Sequence, residues 1–222
     1  MPCPWRLSWP RLLVCLALLA LVAITLPAAP VLAADQPAVA EPEIREYQGR
    51  HLAAFDRSYD NSIKGPQKVD RQKFRLKVRG LVDKPLELTY EAVLALPAVR
   101  RVVVMPCVEG WSETLLYDGA RVADLLAKAG ITPEAKFVVF HAAEGYDSAL
   151  SLDYINKADV FLGYKINGRT LDANRGFPFQ VVAEHMLGYK WVKWVVEIEV
   201  TDQPHKGYWE KRGYPDDAHT DR

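Results

Sequence analysis

Residues 99–112 read VRRVVVMPCVEGWS. The β-branched run over residues 99–105 predicts a strand, and Pro106 and Gly110 mark the loop that follows it. Cys107 lies in this loop at the end of the strand, a position where functional side chains collect. The residues alone leave two interpretations open: a buried apolar cysteine, or a thiolate that acts as nucleophile or metal ligand.

The composition excludes several classes of protein. The 222-residue chain has 28 basic and 28 acidic residues, so it has no net basic field that would favour nucleic acid as a partner. Half of the residues are hydrophobic and a quarter are charged, which is typical of a globular domain rather than a disordered tail or a multi-span membrane protein.

Residues 1–34 carry an export signal. Arg6 and Arg11 precede an apolar run over residues 12–26, and small residues end the segment. This pattern is typical of a secretory signal peptide. The run is shorter than the roughly 18 residues of a spanning helix, which favours cleavage over the alternative of an uncleaved N-terminal anchor. In both cases we expect the rest of the chain to be periplasmic or exported, and membrane-anchored if the segment is not cleaved.

Cleavage would leave Cys107 as the single cysteine, because Cys3 and Cys15 belong to the leader. The exported protein could then form no internal disulfide. An isolated thiol is exposed to oxidation and mispairing in an oxidising compartment, so its presence favours a functional role for Cys107.

The body divides into a polar linker that docks on the domain, residues 35–60, and one domain, residues 61–222. Alternation with period two predicts a strand over residues 74–80. Asn167-Gly168 predicts a hairpin turn. Further strands are expected over residues 137–140, 148–152, 160–166, 179–182 and 191–200, and helices over residues 89–96, capped by Thr89, and 121–129, ended by Gly130. Many short strands without regular βαβ alternation indicate an α+β domain that is mainly β.

Several motifs follow one another along this body. They are DNSIKG at 60–65, LKVRGLV at 76–82, CVEGWS at 107–112, YKING at 164–168, RGFPF at 175–179 and GYKWVKW at 188–194. In this order they resemble the molybdopterin-binding domain of the sulfite oxidase superfamily. They are most similar to the branch that contains the catalytic subunit of periplasmic methionine-sulfoxide reductase. The resemblance implies the mixed, mainly β fold of that superfamily.

The resemblance also implies a cofactor, molybdenum-molybdopterin (Mo-MPT), and a set of site residues. Cys107 matches the thiolate that ligates molybdenum, and soft sulfur ligands suit such a metal. Glu109 matches a glutamate near the metal and is the second candidate catalytic residue. The remaining candidates for cofactor binding are Asn61, Arg175, Trp191, Val192 and Lys193. We expect Cys107 to lie in a cleft with Glu109, Trp111 and Lys193 around it.

Three features depart from the pattern of the close relatives. Gln180 stands where they carry an arginine that holds the cofactor, and Arg175, where they often have asparagine, is expected to supply that cation. Ala142 stands near the position of a threonine beside the metal. The leader lacks the paired arginines of relatives that are exported folded. The alternative is a cofactor-free periplasmic ligand-binding or scaffolding domain of the same fold.

The implied reaction is oxygen-atom transfer on a small-molecule substrate, a sulfur or nitrogen oxide. The basic cluster that receives sulfite in sulfite oxidases is not evident, so sulfite is a poor candidate. No haem-attachment or flavin motif is visible, so electrons would pass to or from a separate partner, a membrane cytochrome or a soluble carrier. A third hypothesis is thiol-dependent hydrolysis by Cys107 with His141 or His185.

Overall fold

The computed structural model describes residues 41–56 and 61–220. The leader predicted over residues 1–34 lies outside these residues. Within the described part of the chain, the helices are all too short or too polar to cross a membrane.

The described residues form twelve strands and three short α-helices. The strands are β1 (Glu46–Tyr47), β2 (Arg50–His51), β3 (Leu76–Gly80), β4 (Leu86–Leu88), β5 (Ala98–Pro106), β6 (Ser112–Arg121), β7 (Phe137–Ala142), β8 (Asp147–Ser151), β9 (Phe161–Ile166), β10 (Arg169–Thr170), β11 (Gln180–Val182) and β12 (Val195–Thr201). The helices are α1 (Tyr90–Leu94), α2 (Val122–Ala129) and α3 (Leu152–Lys157), and 3₁₀ turns lie at Gly188–Lys190 and Glu210–Arg212.

Two five-stranded sheets frame the domain. The first has the order β10-β9-β6-β5, and β11 also pairs with β9. The second has the order β4-β3-β12-β7-β8, in which β3 and β12 run parallel. One apolar core joins both sheets and α2, and it includes Val78, Leu125, Phe140, Phe161 and Ile198. The mixed, mainly β fold expected from the sequence is therefore confirmed.

Local signals account for several of these elements. The side chain of Thr89 caps α1 by accepting a hydrogen bond from the Ala92 N–H at 3.1 Å. Helix α2 ends at Gly130, whose N–H donates to the Leu126 carbonyl at 2.9 Å. Asn167 and Gly168 form the predicted turn between β9 and β10. These three predictions rest on capping and turn chemistry between neighbours in the chain.

One predicted strand is partly wrong, and the longest strand was missed. Residues 191–200 were expected to form one strand, but β12 begins only at Val195. Trp191, Val192 and Trp194 are buried in a loop before it, so their apolar character reflects packing and not a sheet ladder. Strand β6 was missed because residues 115–120 are all buried, so its sequence lacks the alternation of a half-buried strand.

The described part of the predicted linker packs on the first sheet. The Ile44 N–H donates to the Asn167 carbonyl and the Ala53 N–H donates to the Thr114 carbonyl, both at 2.8 Å. Leu52 and Phe55 are buried. Residues at the two ends of this segment, 41–44 and 52–55, are thus docked on the domain, while the β1–β2 hairpin between them is largely exposed.

Candidate active site

Cys107 lies in the tight loop that joins β5 and β6. Pro106 pairs with Ser112 across the hairpin, and the Cys107 N–H donates to the Trp111 carbonyl at 2.9 Å. The Gly110 N–H donates to the Cys107 carbonyl at 3.1 Å, and Gly110 has a φ of +85°, which a side chain would disfavour. The backbone of this loop is therefore fixed by its own hydrogen bonds, and the cysteine is presented at the end of a long hairpin.

Two predicted site residues flank the sulfur. The Asn61 amide donates to the Cys107 Sγ at 3.9 Å, and the thiol donates to the Glu109 Oε2 at 3.9 Å. The Trp111 indole N–H donates to the same Glu109 oxygen at 2.9 Å. The Glu109 carboxylate is therefore held beside the sulfur by a neighbouring indole.

A cleft of about 390 Å³ opens around this loop. Cys107 is partly exposed to it, so the thiol is not sealed in an apolar core. The predicted residues in the lining are Asn61, Cys107, Glu109, Trp111, Arg175, Trp191 and Lys193. Val192 is outside the lining: it is buried, and its carbonyl accepts a hydrogen bond from the Val181 N–H at 2.8 Å. The structure brings the other predicted residues together from distant parts of the chain.

Four buried lining residues, Glu113, Tyr117, Arg175 and Gln180, are linked in pairs, and we call them the cleft floor. Arg175 Nη1 donates to Glu113 Oε2 at 2.9 Å, and Tyr117 Oη donates to Gln180 Oε1 at 3.0 Å. Burial raises the pKa of Tyr117, while the charge of Arg175 lowers it and that of Glu113 raises it. The net effect is upward, so this phenol remains a neutral donor.

The contacts of Arg175 differ from the expected role. Besides its ion pair with Glu113, its guanidinium donates to the Phe55 carbonyl at 2.7 Å and to the Ala54 carbonyl at 2.8 Å. The guanidinium thus donates to acceptors of the protein itself. These bonds tie the docked N-terminal segment to the cleft floor. The idea that Arg175 replaces the missing arginine at Gln180 therefore finds no support in this geometry.

Lys193 is a second cation in the lining. Its Nζ lies 4.4 Å from the centroid of the Trp194 ring, and it donates to the Asn174 carbonyl at 3.5 Å. The backbone N–H of Trp194 donates to the Gly176 carbonyl at 3.1 Å. The two motifs GYKWVKW and RGFPF therefore meet at the cleft, although the sequence separates them.

The histidine hypothesis does not match the geometry. Neither His141 nor His185 is among the residues that line the cleft around Cys107. His141 Nε2 lies instead 2.9 Å from Glu199 Oε2 and 3.9 Å from Glu197 Oε1 on the second sheet. Arg79 makes ion pairs with both of these carboxylates. We call these four residues the sheet cluster.

Sequence reasoning missed a large part of the lining. Glu113 and Tyr117 lie on β6, the strand that was not predicted, and Tyr189, Trp209 and Tyr214 form an aromatic side of the cleft. Tyr189 falls within a motif that was used only for the family resemblance. Nothing local in the sequence marks Trp209 or Tyr214 as site residues.

The chain resembles several known proteins. Residues 63–209 match the family described as oxidoreductase molybdopterin binding domain. The uncharacterized oxidoreductase YuiH of Bacillus subtilis is 38% identical over 150 residues, which cover 67% of this chain and 76% of that protein. The protein-methionine-sulfoxide reductase catalytic subunit MsrP of Gluconobacter oxydans is 31% identical, over 61% of this chain and 49% of that protein.

A solved structure also resembles this chain. The sulfane dehydrogenase SoxCD from Paracoccus pantotrophus superimposes with a TM-score of 0.60 at 27% identity, over 63% of this chain and 41% of that one. The chain therefore spans about three quarters of YuiH but half or less of the other two proteins. By these matches, the chain belongs to the oxidoreductase molybdopterin-binding domain family of the sulfite oxidase superfamily, whose members are molybdenum-dependent oxidoreductases with Mo-MPT as cofactor.

Proposed function

We propose that this chain is an exported oxidoreductase that transfers an oxygen atom to or from a small sulfur or nitrogen oxide, with Cys107 as the protein ligand to molybdenum. The observation that carries the proposal is the position of the Cys107 thiol in the cleft, with Asn61 and Glu109 each 3.9 Å from the sulfur. A single soft sulfur on a fixed loop is the donor that such a metal prefers.

The residues present fit Mo-MPT. A coordinated thiol loses its proton, and the Asn61 amide would then donate to a thiolate. Lys193 carries the charge that a pterin phosphate needs. At the cleft floor, Glu113 Oε1 is buried with no hydrogen-bond partner among the described residues, which leaves an acceptor for the polar edge of a ligand.

The cofactor supplies two-electron chemistry when it is bound, and the chain positions it and controls protons. Glu109 Oε2 is the carboxylate oxygen beside the sulfur, so it can hold or release a proton there. Its hydrogen bond from Trp111, at 2.9 Å, keeps this oxygen in one position.

The charge beside the sulfur favours neutral substrates. The side chain beside the sulfur is the acidic residue Glu109, which disfavours an oxyanion such as sulfite at this point. Arg175, which could have offset that charge, is paired with Glu113 at 2.9 Å. A neutral sulfoxide or amine N-oxide meets no such repulsion.

Electron transfer and export are further parts of the proposal. MsrP of Gluconobacter oxydans and of Campylobacter jejuni are named as catalytic subunits, which supports a separate electron-transfer partner for this chain. A membrane cytochrome is the partner that we propose. The basic start and apolar run of residues 1–34 support export to the periplasm, with membrane anchoring if the segment is retained.

Metal content and turnover test this function. The full chain would be expressed in a host that makes molybdenum cofactor, as wild type, as Cys107→Ala, and as Val104→Ala, a control on β5 whose exposed side chain lies outside the cleft lining. We expect near-stoichiometric molybdenum in the wild type. We also expect reduction of dimethyl sulfoxide with a reduced viologen dye in the wild type and Val104→Ala, and loss of this activity in Cys107→Ala.

Two results would contradict the proposal. Turnover that survives in Cys107→Ala would remove this cysteine from the reaction. A folded wild type without molybdenum would instead favour the cofactor-free binding domain. The thermal midpoints of the cofactor-free proteins serve as the folding control, because a bound cofactor would itself raise the midpoint.

A further inference from the structure

One side of the cleft is built from three aromatic rings, Tyr189, Trp209 and Tyr214, which we call the aromatic wall. The ring centroids of Tyr189 and Tyr214 are 5.2 Å apart with the rings nearly perpendicular, at 79°. Those of Trp209 and Tyr214 are also 5.2 Å apart, with the rings tilted by 40°. The three rings thus form one continuous apolar surface in the lining.

This wall adjoins the Cys107 loop. A Cβ atom placed on Gly188 would lie 3.2 Å from the Pro106 carbonyl oxygen and 3.9 Å from the Cys107 Cα. The backbone that carries Tyr189 therefore touches the backbone that carries the sulfur. The wall and Cys107 therefore line the same cleft.

A buried ion pair holds the wall in place. Lys190 Nζ donates to Glu210 Oε1 at 2.5 Å, and the two side chains are 4% and 1% exposed. Ser148 Oγ donates to the same oxygen at 2.7 Å, and Tyr189 Oη donates to the Pro215 carbonyl at 2.8 Å. These bonds join the 3₁₀ turn at Gly188–Lys190, the start of the GYKWVKW motif, to the C-terminal segment, so the rings are arranged before any ligand binds.

Part of the wall lies outside the residues that match the family. The family match ends at residue 209, whereas Glu210 and Tyr214 lie beyond it.

We propose that the aromatic wall is a substrate subsite that binds the aryl or other apolar substituent of an organic S-oxide or N-oxide. Aromatic faces pack favourably on rings and on sulfur-bearing groups, and no carboxylate or cation belongs to the wall. The substrate oxide would then point toward Cys107 and Glu109 while its substituent rests on Tyr214 and Trp209. This inference rests on the proposed function and names the substrate class of that site.

The test compares two substrates in the loaded full-length enzyme. We expect the wild type to reduce methyl phenyl sulfoxide with a higher kcat/KM than dimethyl sulfoxide. Tyr214→Leu should lower kcat/KM for the aryl substrate roughly 2- to 10-fold, the range that one aromatic contact supplies, and leave that for dimethyl sulfoxide nearly unchanged. Tyr214→Phe keeps the ring and should keep the preference.

Binding gives a readout that does not depend on turnover. Methyl phenyl sulfone is not a substrate for this chemistry, and its dissociation constant can be measured from tryptophan fluorescence, since Trp209 lies in the wall. Tyr214→Leu should weaken sulfone binding by the same factor as it lowers the aryl kcat/KM. Molybdenum content is measured in every variant.

The outcomes separate this inference from the proposed function. If the wild type reduces both sulfoxides without preference, or if Tyr214→Leu affects them equally, the subsite is wrong while the function stands. If Tyr214→Leu loses molybdenum, the wall belongs to the cofactor and the inference is overturned. If the wild type holds no molybdenum and reduces neither sulfoxide, the proposed function fails first and the inference fails with it.

Discussion

The cleft floor and the sheet cluster contain the same kinds of ion pair in opposite surroundings. In the cleft floor, Arg175 and Glu113 are 2.9 Å apart and their side chains are 7% and 1% exposed. In the sheet cluster, Arg79 lies 2.7 Å from Glu197, and its side chain is 48% exposed. The contact distances are nearly equal, so distance alone does not separate a pair that builds a site from one that lies on a surface.

Burial makes the difference. Removing one partner from a buried pair leaves a charge without compensation in a medium of low dielectric, which costs about 3–5 kcal/mol. The same change at an exposed pair costs about 0–1 kcal/mol, because water replaces the partner. The buried pair also joins segments far apart in the chain, since Arg175 donates to the carbonyls of Ala54 and Phe55. The sheet cluster joins neighbouring strands that are already paired.

The largest effect is expected at Arg175. Arg175→Met leaves the Glu113 carboxylate buried without its cation, so we expect the free energy of unfolding to fall by about 3–5 kcal/mol. Urea denaturation of the cofactor-free protein measures this fall. The double variant Arg175→Met with Glu113→Leu removes the isolated charge and should recover a large part of the loss. Equal losses in the single and double variants would show that the carbonyl contacts of Arg175, not its charge, are what matters.

A smaller effect is expected at Arg79, the matched arginine of the sheet cluster. Arg79→Met should lower the free energy of unfolding by about 1 kcal/mol or less, because its guanidinium is half exposed. The fall in the free energy of unfolding caused by Arg79→Met should be smaller still in 1 M salt, where exposed charges are screened. If Arg79→Met lowered the free energy of unfolding as much as Arg175→Met does, burial would not be what separates the two ion pairs in energy.

The smallest effect is the acid dependence of Glu199. Burial raises the pKa of Glu199, but the hydrogen bond from His141 and the charges of Arg79 and His141 hold it below its usual value of 4.5. The folded protein thus binds this proton less readily than the unfolded chain. The stability that results is present above about pH 4.5 and is lost as the pH falls through the folded pKa.

Glu199→Gln should therefore reduce the loss of stability on acidification below about pH 4.5. Urea midpoints of the wild type and the variant, measured between about pH 3 and 6, test this expectation. Glu87→Gln is the control, since Glu87 is exposed on β4 of the same sheet. Parallel pH curves for the wild type and Glu199→Gln would show that the sheet cluster does not couple to acid stability.

The elements that could be predicted from the sequence are those whose signals come from residues close together in the chain. Helix α2 follows from its apolar spacing and from Gly130, and the turn at Asn167 follows from the Asn-Gly pair. Strand β6 was missed because burial on both faces removes the alternation that marks a strand. The apolar residues 191–194 also predict a strand, but Trp191, Val192 and Trp194 are buried in a loop. In both cases the sequence pattern is set by burial against segments that are distant in the chain.

The candidate site divides in the same way. Asn61, Cys107, Glu109 and Lys193 could be named from motifs, and the structure brings them into one cleft, although their contacts with a cofactor remain predictions. Glu113, Tyr117 and the aromatic wall could not be named. Their importance comes from partners that are distant in sequence, such as Arg175 for Glu113 and Gln180 for Tyr117.

By itself, the sequence determined a mainly β domain, the loop that presents Cys107, and membership of a molybdopterin-binding family, because these depend on local patterning and on ordered motifs. Tertiary structure alone decided that Arg175 pairs with Glu113 and that the C-terminal segment completes the cleft. Such contacts depend on which segments meet in space and on how far water is excluded where they meet. Neither quantity can be read from the residues that stand next to each other in the chain.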